Sequence, residues 1–401
     1  MPDTRMTVVI PTRERCDVLG KALQTVTAQR YAPLEIIVSD NCSADRTREV
    51  VAANGDPRVR YLNTGRRLSM SHNWEFALSH VRGGWLTVMG DDDGLLPGAL
   101  EKVADLIADT GARAIRSENC YYAWPSLSGG HGRLRVPLRS GYEVRNGRAW
   151  LDKVLRGGAG YPELPMLYTG GFVDFSILET LRARTGAFYR SCIPDVYASV
   201  AIASLLDTYV YSHEPFAVNG ASKHSTGTSW LSKGRAAGTS PLQQFASEGN
   251  IPFHKDVPLA ADGTYPPSLQ VVIYESFLQT IDLRGDVPSV DHAQQLSVIL
   301  ALAGRHAGPV YEWGRIFARQ HALDFDSIAR RASSLKVGNR LRKLGARMSR
   351  AMNVYKSDRS DLPLDDVFEA SIAAATIRAI APGRTWNLAH ALKRRRSTRS
   401  P

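Results

Sequence analysis

Four short apolar runs, Met6–Ile10, Leu34–Ser39, Val59–Leu62 and Trp85–Met89, alternate with three stretches whose apolar residues recur at helical spacing. No other feature restricts the fold as tightly. A strand that returns parallel to its predecessor needs a crossover of about a dozen residues, and a helix supplies it. The helices are read from Asp17 to Arg30, from Ser43 or Asp45 as cap to about Ala53, and from Met70 to Val81; Val18, Leu19, Leu23 and Val26 mark the first. The order β-α-β-α-β-α-β predicts an α/β fold with a doubly wound, Rossmann-like, mostly parallel sheet and right-handed crossovers. In such sheets ligands bind outside the carboxyl ends of the strands. Three polar clusters fall there, Pro11–Arg15, Asp40–Asp45 and Asp91–Asp93, so the topology gathers them at one crevice.

The third cluster carries the most chemistry. The run Trp85–Met89 stops at Gly90-Asp91-Asp92-Asp93-Gly94, and Pro97 opens a helical pattern beyond it. Adjacent carboxylates repel and are tolerated best where a cation neutralises them; two carboxylates with phosphate oxygens suit Mg²⁺ or Mn²⁺. The plainer reading is a solvated acidic turn that caps the helix near Pro97. Gly90 lets the backbone approach a nucleotide closely. No Gly-x-Gly-x-x-Gly follows a strand and no Gly-x-x-x-x-Gly-Lys-Ser/Thr occurs, which disfavours a dinucleotide-binding dehydrogenase and a P-loop NTPase.

Val8-Val9-Ile10-Pro11-Thr12-Arg13, Ile36-Ile37-Val38-Ser39-Asp40-Asn41-x-Ser43 and Gly90-Asp91-Asp92-Asp93-Gly94-Leu95-Leu96-Pro97-Gly98-Ala99-Leu100, in that order and spacing, resemble a bacterial-type family 2 glycosyltransferase of the GT-A fold. The resemblance is firm over about residues 5–120 and looser to about residue 230. It implies an inverting transfer of sugar from a nucleotide-sugar donor, UDP-sugar favoured, to a hydroxyl acceptor, in surface polysaccharide or glycolipid assembly. It implies that Pro11, Thr12 and Arg13 lie along the donor nucleotide and that Asp40 meets the nucleobase edge. By the same resemblance Asp91 and Asp93 are the two acids of an Asp-x-Asp motif and hold Mn²⁺ or Mg²⁺, with Asp91 also toward the ribose. Asp92, between them, is grouped with the donor-binding residues without a defined role. Gly94 departs from the pattern, standing where many members carry another acid.

An inverting transfer needs a base to take the acceptor's hydroxyl proton. Asp195, in Ile193-Pro194-Asp195-Val196 at the opening of an apolar helix, resembles the family's acceptor-side acid; the competing reading is a helix cap. Glu163 and Asp174 are lesser candidates. Pro215–Ser229 reads as a polar, Gly-containing loop closing over a diphosphate, with Lys223 and His224 as donors or a further metal ligand. Residues 129–148, with Arg133, Arg135, Arg139, Arg145 and Arg148, read as a basic loop or hairpin near the site or as an exposed insertion. Two rivals remain, a nucleotidyltransferase of similar strand order and a scaffold that binds nucleotide sugar without turnover.

Hydrophobic residues make up 43% of the chain, enough for a real core in 401 residues. The expected organisation is a catalytic domain over 1–230, a flexible connection or flap over 231–267, and a helical C-terminal appendage with a basic tail over 268–401. Cys16, Cys42, Cys120 and Cys192 lack paired spacing, so neither a disulfide framework nor a zinc site is indicated. The net charge of +11 belongs to residues 331–401, which hold 16 Lys+Arg against 5 Asp+Glu, while residues 1–330 hold 34 of each. Within the tail, Val337, Leu341, Leu344 and Met348 share a face flanked by Lys336, Arg340, Lys343 and Arg347, and Lys393–Arg396 with Arg399 end the chain. That pattern fits a helix at an anionic membrane surface or one docked on the catalytic domain; without interleaved aromatics it does not fit nucleic acid. With neither a leader pattern nor a run long enough to span a bilayer, the expected location is cytoplasmic, with peripheral contact to the inner face of the membrane. A lipid-linked saccharide and a soluble acceptor both remain open.

Overall fold

The computed structural model describes residues 4–225, 248–283, 290–336, 353–357 and 363–381. One mixed sheet of eleven strands organises them. In chain order the strands are β1 (Met6–Thr12), β2 (Leu34–Asp40), β3 (Val59–Asn63), β4 (Trp85–Val88), β5 (Gly94–Leu95), β6 (Ala114–Ala123), β7 (Arg133–Pro137), β8 (Tyr142–Asn146), β9 (Gly171–Asp174), β10 (Thr208–Ala221) and β11 (Val354–Lys356). The helices are α1 (Cys16–Thr27), α2 (Thr47–Ala52), α3 (Met70–Leu78), α4 (Ala99–Thr110), α5 (Pro125–Ser128), α6 (Gly147–Leu155), α7 (Phe175–Thr185), α8 (Pro194–Leu205), α9 (Leu269–Leu278), α10 (His292–Leu302), α11 (Ala307–Gln320), α12 (residues 325–336) and α13 (Val367–Ile380).

The doubly wound half is the expected one. Strands β3, β2, β1 and β4 lie side by side and parallel, with Val9 opposite both Ile37 and Val88. Alternation along β1 explains its unbroken apolar run: Val8 and Ile10 enter a core beneath α1, α4 and α13, while Val9 enters a second core beneath α3, α7 and α8. A strand covered on both faces has no polar side to show.

Beyond β4 the sheet departs from a purely parallel order. β9 inserts antiparallel between β4 and β6, and β10 runs parallel to β6 along its other edge. Residues Pro215–Ala221, expected as loop, are the second half of β10. Phe216, Ala217 and Val218 are buried there, because the strand is sandwiched between helices, and only Ser222–Ser225 remain as described loop. The basic stretch 129–148 is not a hairpin either. β7 pairs with β6 and β11 while β8 pairs with β10, so each strand finds a separate edge.

The C-terminal region also differs from a simple appendage. α9, α10, α11 and α12 form a third core with α6 and with one face of α8, through Val196, Val200 and Ala203. The opposite face of α8, Ala198, Ala201 and Ile202, belongs to the core under the sheet. This double burial accounts for a helix that is apolar all round. Residues 248–267 are tied down rather than flap-like: Trp313 Nε1 donates to the Pro258 carbonyl at 2.7 Å, and His321 Nε2 lies 2.8 Å from the Asp256 carbonyl. α13 returns to the sheet, where Val367, Ala370 and Ala374 join the core against α1, so the core of the catalytic half extends past residue 230. The amphipathic stretch from Val337 to Arg350 and the terminal cluster Lys393–Arg399 lie outside the described residues. No helix among the described residues is long and apolar enough to cross a membrane.

Candidate functional site

At the carboxyl end of β4 the chain turns at Gly90, whose carbonyl accepts from Asp93 N at 3.1 Å. A Cβ on Gly90 would stand 2.7 Å from both Asp93 Oδ2 and Tyr168 Oη, so the turn closes only around glycine. The turn sends the three carboxylates to different partners. Asp91 accepts Thr12 Oγ1 at 2.7 Å and the Arg15 guanidinium at 2.7 Å. Asp92 Oδ2 accepts Ser222 N at 3.2 Å, Ser222 Oγ at 2.7 Å and Ser225 Oγ at 2.6 Å. Asp93 accepts Gly90 N at 3.1 Å, Gly220 N at 2.6 Å and the hydroxyl of Thr169. Like-charge repulsion is relieved by divergence and by donors. The capping alternative fails: Gly98 stands at the N-cap of α4 in the left-handed region, with no side chain accepting from the first turn.

Burial sets the titration of these groups. It pushes the Asp93 carboxyl up to about 7, with the neighbouring Asp92 charge adding to the effect. Asp91 is raised by burial too, but the Arg15 charge opposes that. Burial would by itself lower the Arg15 pKa, and the fields of Asp91 and Asp92 instead hold it above its ordinary value. Arg15 therefore supplies a cation to the triplet from the protein itself. Its second nitrogen donates to the His224 carbonyl at 2.7 Å, tying the loop after β10 across the acids.

The other sequence-derived residues surround this centre. Pro11 and Thr12 end β1. Arg13 turns away from the acids and pairs with Glu248. Asp40, at the end of β2, accepts Tyr61 Oη at 2.5 Å and Asn63 Nδ2 at 3.1 Å, and Ser43 N at 3.0 Å in an Asx-type turn. Lys223 Nζ and His224 Nε2 both reach Asp17 on α1, at 3.3 and 2.9 Å, so in this arrangement neither side chain is directed at the triplet.

Asp195 sits in the first turn of α8, partly exposed, and accepts Tyr161 Oη at 2.8 Å. Burial raises its pKa, with the Tyr161 bond opposing. Tyr168 feels both Asp195 and the acidic triplet: its own pKa is pushed well up by burial and then by the charges of Asp93, Asp92, Asp195 and Asp91. Trp74 of α3 stacks on Tyr168 with ring centroids 5.5 Å apart. Of the lesser candidates, Glu163 is held by Arg145 at 3.0 Å and Asp174 caps α7 by accepting Ser176 N at 2.9 Å.

Among the described residues, one oxygen of the three carboxylates is left without a protein donor. Asp93, expected with Asp91 as a metal ligand, is 0% exposed, and both of its oxygens accept hydrogen bonds from the protein. Both Asp91 oxygens are likewise engaged. The donors to Asp92 all reach Oδ2, which leaves Oδ1 without one among the described residues. No group of three His, Cys, Asp or Glu residues that could hold a metal ion occurs among the described residues. Mg²⁺ or Mn²⁺, which keeps waters and takes one or two carboxylates with substrate phosphate oxygens, fits such a single open carboxylate oxygen. Arg15, Tyr161 and Tyr168 were not legible as site residues. For Arg15 the only signal was a second arginine in the loop after β1, and nothing local says which arginine turns inward.

Residues 7–147 match the family described as Glycosyl transferase family 2. A succinoglycan biosynthesis protein, ExoO of Rhizobium meliloti, is 31% identical over 28% of this chain and 32% of its own length. The GalNAc(5)-diNAcBac-PP-undecaprenol beta-1,3-glucosyltransferase of Campylobacter jejuni is 37% identical over 24% of this chain and 32% of its own. The chain thus spans about a third of the length of these relatives. Among solved structures, S. aureus TarS 1-349 in complex with UDP-GlcNAc superposes with a TM-score of 0.46 at 13% identity, over 83% of this chain and 92% of that one. The mannosyltransferase PcManGT from Pyrobaculum calidifontis, in complex with GDP-Man and Mn²⁺, gives 0.39 at 16%, over 83% and 87%.

Proposed function

Residues 7–147 match glycosyl transferase family 2, and from that premise we propose that the chain transfers a sugar, with inversion, from a nucleotide-sugar donor to a hydroxyl acceptor. One observation carries this reading. Thr12 and Arg15 from the end of β1 and the loop after it, the acids from the end of β4 and Ser222–Ser225 from the end of β10 are hydrogen-bonded into a single centre, and Asp195 acts on the same Tyr168 as its acids. The relatives' names, a succinoglycan biosynthesis protein and a glucosyltransferase acting on a PP-undecaprenol saccharide, favour assembly of a polysaccharide or glycolipid on a lipid-linked acceptor.

In this reading the nucleobase lies toward Asp40, Tyr61 and Asn63, and the diphosphate toward Asp92 and Arg15. Asp92 would hold Mg²⁺ or Mn²⁺ by Oδ1. Bound there, the cation supplies positive charge to a leaving nucleoside diphosphate. Arg15 is already oriented by Asp91 and adds a fixed positive charge beside the same phosphates without reorganisation. Lys223 and His224 are one turn of loop from Asp92 and reach the diphosphate by leaving Asp17. Asp195 takes the proton from the acceptor hydroxyl as that oxygen attacks the anomeric carbon from the face opposite the leaving group. Its raised proton affinity suits this role, and the Tyr161 hydroxyl holds Oδ2 at 2.8 Å.

Calorimetry of UDP and GDP binding, with Mn²⁺ and with chelator, followed by analysis of products from a nucleotide sugar, tests the proposal. Cation-enhanced binding, with release of nucleoside diphosphate and no pyrophosphate, is expected. Pyrophosphate as product, or no binding of either nucleotide under both conditions, overturns it.

A further inference from the structure

Strand β7 carries Arg133 and Arg135 two residues apart and so on one face, while Leu134 and Val136 between and beyond them are buried in the main core. The outer strand β11 sets Lys356 directly opposite Arg135. Like charges directly opposite on paired strands destabilise a sheet. Among the described residues none of these three cations has an ion pair, and Arg135 overlies the Tyr121 ring at 5.5 Å. The described acids just before α13 are committed elsewhere. Asp366 pairs with Lys21 at 2.9 Å and accepts Glu369 N at 2.9 Å, and Asp365 faces His131 at 3.5 Å.

The three cations line, with Tyr121, Ala123 and Leu127, a concavity of about 350 Å³. Three cations around one hollow concentrate positive potential at a place where an anionic ligand supplies the opposite charge. We propose that this hollow is a phosphate-binding subsite that takes a phosphate or pyrophosphate group, carried by a soluble ligand or by a lipid headgroup. Arg133 and Arg135 present planar forks suited to phosphate oxygens, and Lys356 adds a point charge. The subsite opens at the same end of β6 as the acidic centre: one residue past Ala123, the Trp124 indole donates to the Asp92 carbonyl at 2.9 Å. Its existence does not depend on the sugar-transfer reading.

The test uses the full chain, inorganic pyrophosphate without divalent cations, and vesicles of phosphatidylglycerol and phosphatidylcholine. Pyrophosphate should raise the melting temperature of the parent and of Arg15→Gln, which removes a cation of the crevice alone. Its affinity should fall on the order of tenfold in Arg135→Gln and in Lys356→Gln. Without ligand, Lys356→Gln should melt no lower than the parent, because it removes a repulsion; this separates a binding role from a structural one. Loss of vesicle flotation in the Arg133→Gln, Arg135→Gln, Lys356→Gln triple variant assigns the phosphate to a lipid surface. Loss of pyrophosphate binding alone assigns it to a soluble ligand. Parent and triple variant behaving alike with both probes overturns the proposal.

Discussion

Replacing Arg15 with Gln strips the cation from a carboxylate that is 2% exposed, leaving Asp91, among the described residues, with the Thr12 hydroxyl. Removing one partner of a buried ion pair costs about 3–5 kcal/mol, because the other charge stays desolvated. Arg15 is itself 22% exposed, so solvent screens part of the interaction and about 2–3 kcal/mol is the expected loss. With an unfolding entropy of roughly 0.8 kcal/mol/K for a chain of 401 residues, that lowers the melting temperature by about 3 °C. The pH dependence gives a second readout. Without Arg15 the folded pKa of Asp91 climbs further above its unfolded value of about 3.9. An acid with a raised folded pKa keeps its full contribution below the unfolded pKa and loses it as pH rises through the folded one. The gap between variant and parent should therefore be wide at neutral pH and close as pH falls toward 4. Adding Asp91→Asn to Arg15→Gln should recover much of the loss, since the stranded charge is then gone. Melting curves from pH 4 to pH 8 for the parent, both single variants and the double variant test the argument. An Arg15→Gln protein as stable as the parent at pH 7, or a double variant with strictly additive losses, would refute the pairing.

Three further outcomes follow from named contacts. Asp195→Asn should lower turnover by a factor on the order of 10² to 10⁴ with donor affinity unchanged, read from single-turnover rates and calorimetry; early melting with turnover retained would make it a helix cap only. Gly220→Ala puts a Cβ 1.8 Å from the Asp92 carbonyl oxygen, and since backbone cannot swing aside, at least about 1–3 kcal/mol should be lost in urea unfolding; an unaltered midpoint would mean that β10 and the acidic turn are not packed this closely. Glu275, fully buried on α9 and bonded to Ser191 Oγ at 2.5 Å, is pushed by burial up to about 7, above its unfolded value of about 4.3. Its contribution is therefore present below that unfolded value and lost as pH rises through 7, so Glu275→Gln should flatten the stability profile between pH 5 and pH 8, and an unflattened profile would place the titration elsewhere.

Read without coordinates, the first ninety or so residues determine the parallel half of the sheet, because each strand there is short, β-branched and followed by its own crossover helix. Local pattern and local structure coincide in such units, and the gathering of Thr12, Asp40 and Asp91–Asp93 at one end follows from topology alone. The helix start at Asp195 was legible as well, from a Pro-Asp opening before an apolar run, and Asp195 does stand in the first turn of α8. What the sequence leaves open are the directions of side chains and the partners of later strands. Phe216–Ala221 looked like loop because Gly220 and Asn219 are turn formers, yet pairing with β6 over most of its length overrode that preference. Three consecutive aspartates are equivalent on paper. Only the turn at Gly90 and the approach of β10 send Asp93 inward, give Asp91 to Arg15 and leave Asp92 with an open oxygen. The role of the C-terminal helices was hidden for the same reason. Their apolar faces say that they are buried, but not that α8, the helix bearing Asp195, is what they bury. Periodicity along the chain reports whether a residue is inside; which distant segment meets it there is decided by packing, which no local window contains.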